Sequence, residues 1–471
     1  MSASAAAPDL HDVQGLVARG YGNLGAARFV LLGFEEGAAA RSWLGAIVKA
    51  LTPGDERPHE RAVNVAFTSS GLSRLGLRPA ILGRFSNEFA DGMTTPHRRR
   101  ILGDLDGNAP EQWDWGGPTN EVDAILLLYA ADAQGLEALE QEQTRAIPTG
   151  VRVLQTLQTS DRQGFEPFGF RDGISQPLIE GLSKTGPPAL TLRFGEFVLG
   201  YPNEYGLYTD RPLLDRSEDP KGLLPPAPDV PDRTDLGLNG SYLVFRQLRQ
   251  DVPRFWRFLD EATRRADGSP DPERRFRLAA KIVGRWPEGS PLALAPERHD
   301  PALADANDFG YFVDAHGARC PVGAHIRRAN PRDSLDPQPG TDKSLALNRR
   351  HRILRRGRKY GSPLSIEDAL RAEDAAHGDE RGLHFICLNA NIARQFEFVH
   401  DTWLNNPKFA GFYDDSDPLV SPSHPYGGTF TIPSEGVRER VVDVPRFVSV
   451  KGGAYFFLPG IAATHYLASL G

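Results

Sequence analysis

The stretch RFVLLGFEEGAAARSWLGAIVKAL, residues 28–51, is the strongest indication of the fold, because a later stretch of the chain repeats its pattern of apolar residues. RFVLLGF is a largely apolar run typical of a buried strand, and the residues after it have the apolar spacing of an amphipathic helix. SYLVFRQL (241–248) and VPRFWRFLDEATRRA (252–266) again present a strand followed by a helix. The two halves of the chain therefore open alike.

The similarity continues with a second strand and helix in each half. EVDAILLLYAAD (121–132) leads into the helical AQGLEALEQEQTRAI, and GLHFICLNAN (382–391) leads into the helical IARQFEFVHDTWLNN. Two strand–helix–strand–helix units predict a duplicated α+β domain, with the helices of each half packed on an antiparallel sheet.

The boundaries of the halves follow from a stretch rich in Pro and Gly, EDPKGLLPPAPDVPDRTDLGLNG, which lies between them. Such a composition is typical of a connection. We predict an N-terminal half at 1–220, a connection at 221–240 and a C-terminal half at 241–471. The long segment 270–318 is predicted to be a surface elaboration.

The composition and charge of the chain limit which kinds of partner and which cellular location can be expected. The chain has 471 residues with 54 basic and 61 acidic side chains, a net charge of -7, and therefore no basic footprint for nucleic acid or an anionic membrane. We expect a small solute as the partner. The N-terminus shows no export signal, no apolar run reaches the length of a membrane span, and the two cysteines lack zinc-site or haem-attachment spacing. We therefore expect a cytoplasmic protein.

The stretch GFRDGISQP, residues 169–177, contains an acid that could be structural or chemical. Asp172 and Gly173 form one of the commonest turn signals, because Gly tolerates positive φ and Asp bonds its own backbone. The same carboxylate could instead serve a reaction as an acid–base group. The stretch alone does not decide between these readings.

A histidine in RCPVGAHIRRANPRD, residues 319–333, has a similar ambiguity. Pro321 suits the first turn of a helix that Asn330 and Pro331 end, which would place His325 in the middle of that helix. His325 is either a surface or core histidine or an axial metal or haem ligand, whose second ring nitrogen then needs an acceptor. Glu397 is the predicted acceptor, or else a solvated helix glutamate.

The basic segment HRILRRGRKYG, residues 351–361, is either a solvated face or an anion-binding loop. Arg355 follows the apolar pair Ile353–Leu354, so it could end a strand and point inward. In the later GLHFICLNAN, Leu383 and Phe385 share one face of a strand by period-two alternation. They are either core residues or the apolar wall of a cofactor pocket.

Taken together, these segments resemble the dye-decolourising (DyP-type) haem peroxidase family. The GxxDG motif with its continuation ISQP, CPVGAHIRRANPRD and ILRRGRKYG match family segments in the family's order along the chain. The resemblance implies two ferredoxin-like halves holding one haem b, in agreement with the duplication inferred from the strands and helices. It covers the C-terminal two-thirds well and the N-terminal third mainly through its strand–helix pattern.

The resemblance also implies roles at matching positions. His325 becomes the proximal iron ligand, Asp172 the distal acid–base residue and Arg355 the distal stabiliser of charge. Glu397 becomes the acceptor from the His325 ring. Residues implied to contact the haem comprise a propionate partner and pocket-wall positions: Arg332, Ile174, Ser175, Leu383 and Phe385.

The function implied is reduction of hydrogen peroxide coupled to oxidation of dyes, phenols or aromatic amines. An alternative is a haem-binding protein that carries haem or releases its iron without significant peroxidase turnover. A third class is a binding protein that uses the basic loop for an anionic ligand and holds no iron.

Overall fold

The computed structural model describes residues 7–160, 164–183, 190–372, 380–421, 427–434 and 436–471. Residues 1–6, which bear on the expectation about an export signal, lie outside the described residues. The strands are β1 (Ala26–Phe34), β2 (Arg61–Phe67), β3 (Ala124–Ala130), β4 (Val151–Gln158), β5 (Leu178–Ile179), β6 (Thr191–Leu192), β7 (Leu213–Asp215), β8 (Arg233–Asp235), β9 (Ser241–Gln250), β10 (Leu354–Arg355), β11 (Arg358–Tyr360), β12 (Gly382–Asn389), β13 (Gly428–Ile432), β14 (Glu439–Val444) and β15 (Val448–Leu458).

The helices are α1 (Gly15–Ala18), α2 (Gly37–Ile47), α3 (Ser69–Arg74), α4 (Pro79–Leu82), α5 (Asn87–Asp91), α6 (Pro96–Leu102), α7 (Ala133–Arg145), α8 (Val252–Ala262), α9 (Pro272–Val283), α10 (His325–Ala329), α11 (Asp342–Arg349), α12 (Ile366–Arg371) and α13 (Ile461–Ala468). Two π-helical segments, Ala393–Glu397 and Val399–Asn405, follow β12. Within the described residues, no helix combines the length and the apolar character that crossing a bilayer needs.

The same strand order occurs in each of the two halves of the main sheet. The N-terminal half runs β4-β1-β3-β2, and the C-terminal half runs β15-β9-β12, with β10 and β11 both pairing with β12. Every pairing in this sheet is antiparallel. Each half therefore places its fourth strand beside the first and its third beside the second, which is the ferredoxin-like arrangement predicted from the sequence.

The two half-sheets join into one through a short contact, the pairing of Phe457 in β15 with Phe67 in β2. The larger contribution to their union is apolar. One buried cluster contains Trp43 and Phe67 from the N-terminal half together with Tyr242 and Phe457 from the C-terminal half. Burial of this shared surface stabilises the halves as a single body. The boundaries at 220 and 241 stay a prediction.

Local sequence explains where the main helices begin. Asp132 starts α7 by accepting a hydrogen bond from the Gly135 amide, and Asp251 starts α8 by accepting from the Arg254 amide. Asp271 starts α9 in the same way. These carboxylates satisfy amides that the first helical turn leaves without partners.

The segment 270–318 differs from its prediction as a surface elaboration. Its helix α9 buries Ala280, and the following chain buries Trp286, Leu292 and Tyr311 in a small core shared with Ala324. This core lies directly before α10. The segment therefore supports the helix on which His325 stands.

Candidate active site

A cavity lies against the sheet of the C-terminal half. Leu248 of β9, Leu383 and Phe385 of β12 and Val450 of β15 line it, with Leu248 adjacent to both Leu383 and Val450 in the register. Because alternate strand residues share a face, these side chains form one continuous apolar wall. The wide turns of the π-helical segments contribute further lining residues: Phe396, Val399, His400 and Leu404.

Asp172 lines this cavity and is also part of the turn that the sequence indicated. Gly173 has φ 83°, and its amide donates to Asp172 Oδ1 at 2.6 Å. The Asp172 amide donates to the Gly164 carbonyl. The turn fixes the backbone of the carboxylate, while the side chain remains 47% exposed and able to meet a ligand.

Arg355 completes a charged pair at the same place. It ends β10, whose pairing with β12 sets Arg355 opposite Cys387. Its Nη1 donates to Asp172 Oδ1 at 3.0 Å, and both residues line the cavity. The neighbouring Arg356 instead donates to the carbonyls of Leu16 and Val17. Strand geometry thus directs one of the two adjacent arginines to the cavity.

Glu166 holds the loop that carries Asp172. Its Oε1 accepts from the Phe170 amide at 2.9 Å, and its Oε2 accepts from the Phe168 amide at 3.1 Å and from Gln250 Nε2 at 2.7 Å. Burial raises the pKa of the Glu166 carboxyl to about 7, against the lowering effect of these hydrogen bonds. This carboxyl ties the GxxDG loop to the end of β9.

His325 begins α10 rather than lying in its middle, which corrects the sequence prediction. Pro321 precedes the helix, in a turn where its carbonyl accepts from the Ala324 amide. The His325 ring lines the cavity, and its Nδ1 donates to Asp417 Oδ2 at 2.9 Å. This bond leaves Nε2 as the nitrogen available to a ligand.

The acceptor of the His325 ring is Asp417, so the prediction of Glu397 was wrong. Asp417 is buried, and its Oδ1 accepts from the amides of Leu419 and Val420. Burial alone would lower the pKa of His325, but the charge and hydrogen bond of Asp417 raise it above its ordinary value. Burial acts to raise the pKa of Asp417, yet His325 and Arg328 hold it below the ordinary value.

Glu397 cannot serve His325 because both of its oxygens are used elsewhere. Tyr455 Oη donates to Oε1 at 2.8 Å, and Arg98 Nη1 donates to Oε2 at 2.8 Å. All three residues are buried. Glu397 is therefore a member of an internal network that joins α6, the π-helical segment and β15.

Arg332 lies behind the lining of the cavity. Its Nη1 donates to the carbonyls of Asn307 and Phe309, and its Nη2 donates to Asn307 Oδ1 at 2.8 Å and to Ser175 Oγ at 3.4 Å. Its guanidinium also stacks over the Phe309 ring at 3.8 Å. Ser175 and Ile174 do line the cavity. The predicted set therefore meets around one cavity, apart from Arg332 and Glu397.

Sequence reasoning did not single out several polar groups at or beside this cavity, among them Asp417, Glu166 and Arg352. Asp417 is 92 residues from His325 and lies outside any periodic segment, so no local pattern indicates it. Glu166 could have been found, since an acid three residues before Gly169 can accept from the amides of the turn. Arg352 stands within the basic segment, where spacing does not separate the inward from the solvated cations.

Comparisons with known proteins decide the family, although no family model matches the chain. The multifunctional dye peroxidase of an Amycolatopsis species is 32% identical over 455 residues, which cover 92% of this chain and 90% of that protein. A dye-decolorizing peroxidase of Mycena epipterygia is 30% identical over 444 residues, which cover 87% of this chain and 76% of the Mycena protein. The chain belongs to the dye-decolourising peroxidase family.

The solved structures agree with this assignment. A dye-decolorizing peroxidase in complex with 2,6-dimethoxyphenol superposes with a TM-score of 0.78 at 26% identity, covering 98% of this chain and 100% of the other. The present chain is accordingly a DyP-type peroxidase, and the enzymes of this family are haem enzymes.

The donor set of this DyP-type peroxidase fits haem better than a bare metal ion. Among the described residues there is no cluster of three or more His, Cys, Asp or Glu side chains that could hold an ion. His325 offers a single nitrogen from a cavity whose walls are largely aliphatic and aromatic. A single axial histidine and apolar walls suit a porphyrin, which supplies the other ligands of its iron.

Proposed function

We propose that the protein is a haem b-dependent peroxidase that reduces hydrogen peroxide and oxidises phenols, aromatic amines or dyes. The observation that carries the proposal is that one cavity is lined by the Asp172–Arg355 pair and by His325, whose ring is bonded to the buried Asp417. When bound, haem b would supply the redox chemistry that couples reduction of peroxide to oxidation of the aromatic substrate.

His325 is the proposed iron ligand, through Nε2. Asp417 fixes the tautomer by accepting the Nδ1 proton, and two backbone amides hold Asp417 itself in place. An anionic acceptor makes the imidazole a stronger electron donor, which favours oxidised iron. Asp417 thus takes the part that the sequence resemblance assigned to Glu397.

Asp172 is the proposed acid–base group. Its carboxylate would accept a proton from hydrogen peroxide and return it to the departing oxygen, which leaves as water. The guanidinium of Arg355 stabilises the negative charge that grows on the peroxide oxygens. The 3.0 Å bond between them presents both groups to the same small region of the cavity.

Leu383, Phe385 and Ile174 form the proposed apolar wall around this region. Apolar walls limit the number of water molecules inside the cavity. They also offer a contact surface for the ring of a phenol or an aromatic amine. The remaining proposed contact, Ser175, is held by Asn307 and Arg332 at the cavity edge.

The test is steady-state turnover of haem-supplied protein with hydrogen peroxide and 2,6-dimethoxyphenol or a dye. We expect Asp172→Asn to lower kcat/KM for peroxide by about 10²–10⁴, and Arg355→Leu by about 10²–10³. Asp401→Asn, at an exposed position outside the cavity lining, is the matched control and should leave turnover unchanged. Haem binding without turnover in the unsubstituted protein would contradict the peroxidase function, and undiminished turnover in Asp172→Asn would contradict the acid–base role.

A further inference from the structure

Arg352 is a cation at the cavity without a compensating anion. It follows α11, lines the cavity and is only partly exposed. Its backbone carbonyl accepts from Gln395 Nε2 at 2.7 Å, which fixes the main chain at this position. Among the residues that the structure describes, none forms an ion pair or hydrogen bond with its guanidinium.

The charged side chains that act on Arg352 are positive, like Arg352 itself. Burial and, to a smaller extent, the nearby cations Arg332 and Arg355 together lower the pKa of its guanidinium to about 9. Both neighbours are already engaged, Arg355 by Asp172 and Arg332 by Asn307 and Phe309. A desolvated charge surrounded in this way is costly unless an anion compensates it.

The cavity restricts what that anion can be. Its walls are largely apolar, and His325 offers one nitrogen to a metal in the same cavity. The occupant must therefore combine a large apolar body with a carboxylate at its edge. Protohaem has this chemistry, since two propionates project from one edge of a ring that is otherwise apolar.

We propose that Arg352 binds a propionate carboxylate of the haem, an inference that rests on the haem-binding part of the proposed function. Arg332, the cation that the sequence resemblance assigned to this task, has its Nη atoms committed to Asn307, Phe309 and Ser175. It acts indirectly, by holding Ser175 and the chain around Asn307. Arg352 is the anchor of the acidic edge of the cofactor.

The first test measures the rate at which haem leaves the holoprotein for an excess of apomyoglobin. Removal of a charged partner should accelerate haem loss from Arg352→Leu by roughly tenfold or more. Arg352→Lys keeps the charge and should recover part of the difference. Arg371→Leu is the control, since Arg371 is an exposed arginine outside the cavity lining, and its rate should match that of the unsubstituted protein.

The second test needs no substitution and identifies the source of the carboxylate. The unsubstituted protein is loaded with protohaem or with its dimethyl ester, whose propionates are neutral. We expect the ester to leave much faster than protohaem, and Arg352→Leu to release ester and protohaem at similar rates. Circular dichroism of each variant checks that the fold is kept.

Three results would overturn the inference while leaving the peroxidase proposal intact. The first is an equal rate of haem loss from Arg352→Leu and from the unsubstituted protein. The second is an equal rate of loss of ester and protohaem from the unsubstituted protein. The third is that Arg352→Leu accelerates the loss of ester and of protohaem by the same factor. Slower haem loss on addition of benzoate or phosphate would likewise assign Arg352 to a small free anion. Failure of the unsubstituted protein to bind haem at all would contradict the proposed function itself.

Discussion

The identity of the acceptor behind His325 has a direct chemical consequence at the scale of single residues. Asp417→Asn keeps a hydrogen-bond acceptor but removes its charge, so the His325 imidazole, as the proposed iron ligand, should become a weaker electron donor. We predict that the ferric/ferrous reduction potential of the haem rises in this variant. Spectroelectrochemical titration of the holoprotein measures it.

Glu397→Gln is the matched control for Asp417→Asn, because the same change is made in the carboxylate that binds Arg98 and Tyr455 instead of His325. Its reduction potential should equal that of the unsubstituted protein, even where its stability is lower. A shift in Glu397→Gln with none in Asp417→Asn would restore the acceptor that the sequence alone suggested.

Single residues also show the limit of sequence reasoning. His325, Asp172 and Arg355 belong to compact motifs, and the resemblance to the family identified each residue by its place in its motif. Asp417 and Arg352 have no such signal, because their roles depend on which distant segment packs beside the cavity. The hydrogen bond from His325 to Asp417 spans 92 residues, a distance over which local periodicity carries no information.

At the scale of elements, the GxxDG turn positions Asp172, the proposed acid–base group. Gly173 has φ 83°, and an added Cβ would meet nothing within 4 Å, so Gly173→Ala tests conformation without a steric clash. We predict a loss of about 1–2 kcal/mol in the free energy of unfolding. Turnover should fall as well, since the turn holds the Asp172 carboxylate. Denaturant titration and peroxide kinetics measure the two effects.

Gly45 provides the comparison for Gly173. It lies within α2, and its added Cβ also meets nothing within 4 Å. Since Ala is favoured over Gly in a helix by about 1 kcal/mol, Gly45→Ala should stabilise the protein. Equal stabilisation by both substitutions would show that positive φ at Gly173 does not constrain the turn.

Elements were predicted best where one face is continuously apolar. The strands β1, β3, β9 and β12 and the helices α2, α7 and α8 lie where the sequence placed them. The helix after β12 was predicted, but its π-helical geometry was not, because apolar spacing does not distinguish turns of different width. Helix α10 is shorter than predicted, since its N-terminus is set by packing on the core around Tyr311 and Cys320.

At the scale of the whole molecule, the duplicated halves share a core, and their stability should be coupled. Phe457 pairs with Phe67 and packs edge-on against Phe85 at 5.1 Å between ring centroids. We predict that Phe457→Ala lowers the free energy of unfolding by about 3–5 kcal/mol, through lost burial and the cavity left behind. Both halves should still unfold in one transition, measured by denaturant titration followed by circular dichroism and tryptophan fluorescence.

Tyr413→Ala is the control, because this side chain is 92% exposed and its removal should change stability by no more than about 0.5 kcal/mol. Two separate transitions in the unsubstituted protein would contradict a shared core. The duplication itself was visible in the sequence. The shared core could not be predicted, because the apolar pattern of a strand does not indicate which faces of the two halves pack together.

The proposed function depends most on His325 being the protein ligand of a haem held in the cavity beside Asp172. The most direct test is the absorption spectrum of His325→Ala supplied with haem, compared with that of the unsubstituted protein. We predict a Soret band for the unsubstituted protein, its loss or displacement in the folded variant, and its recovery on addition of imidazole. A folded variant whose spectrum matches that of the unsubstituted protein would contradict the claim.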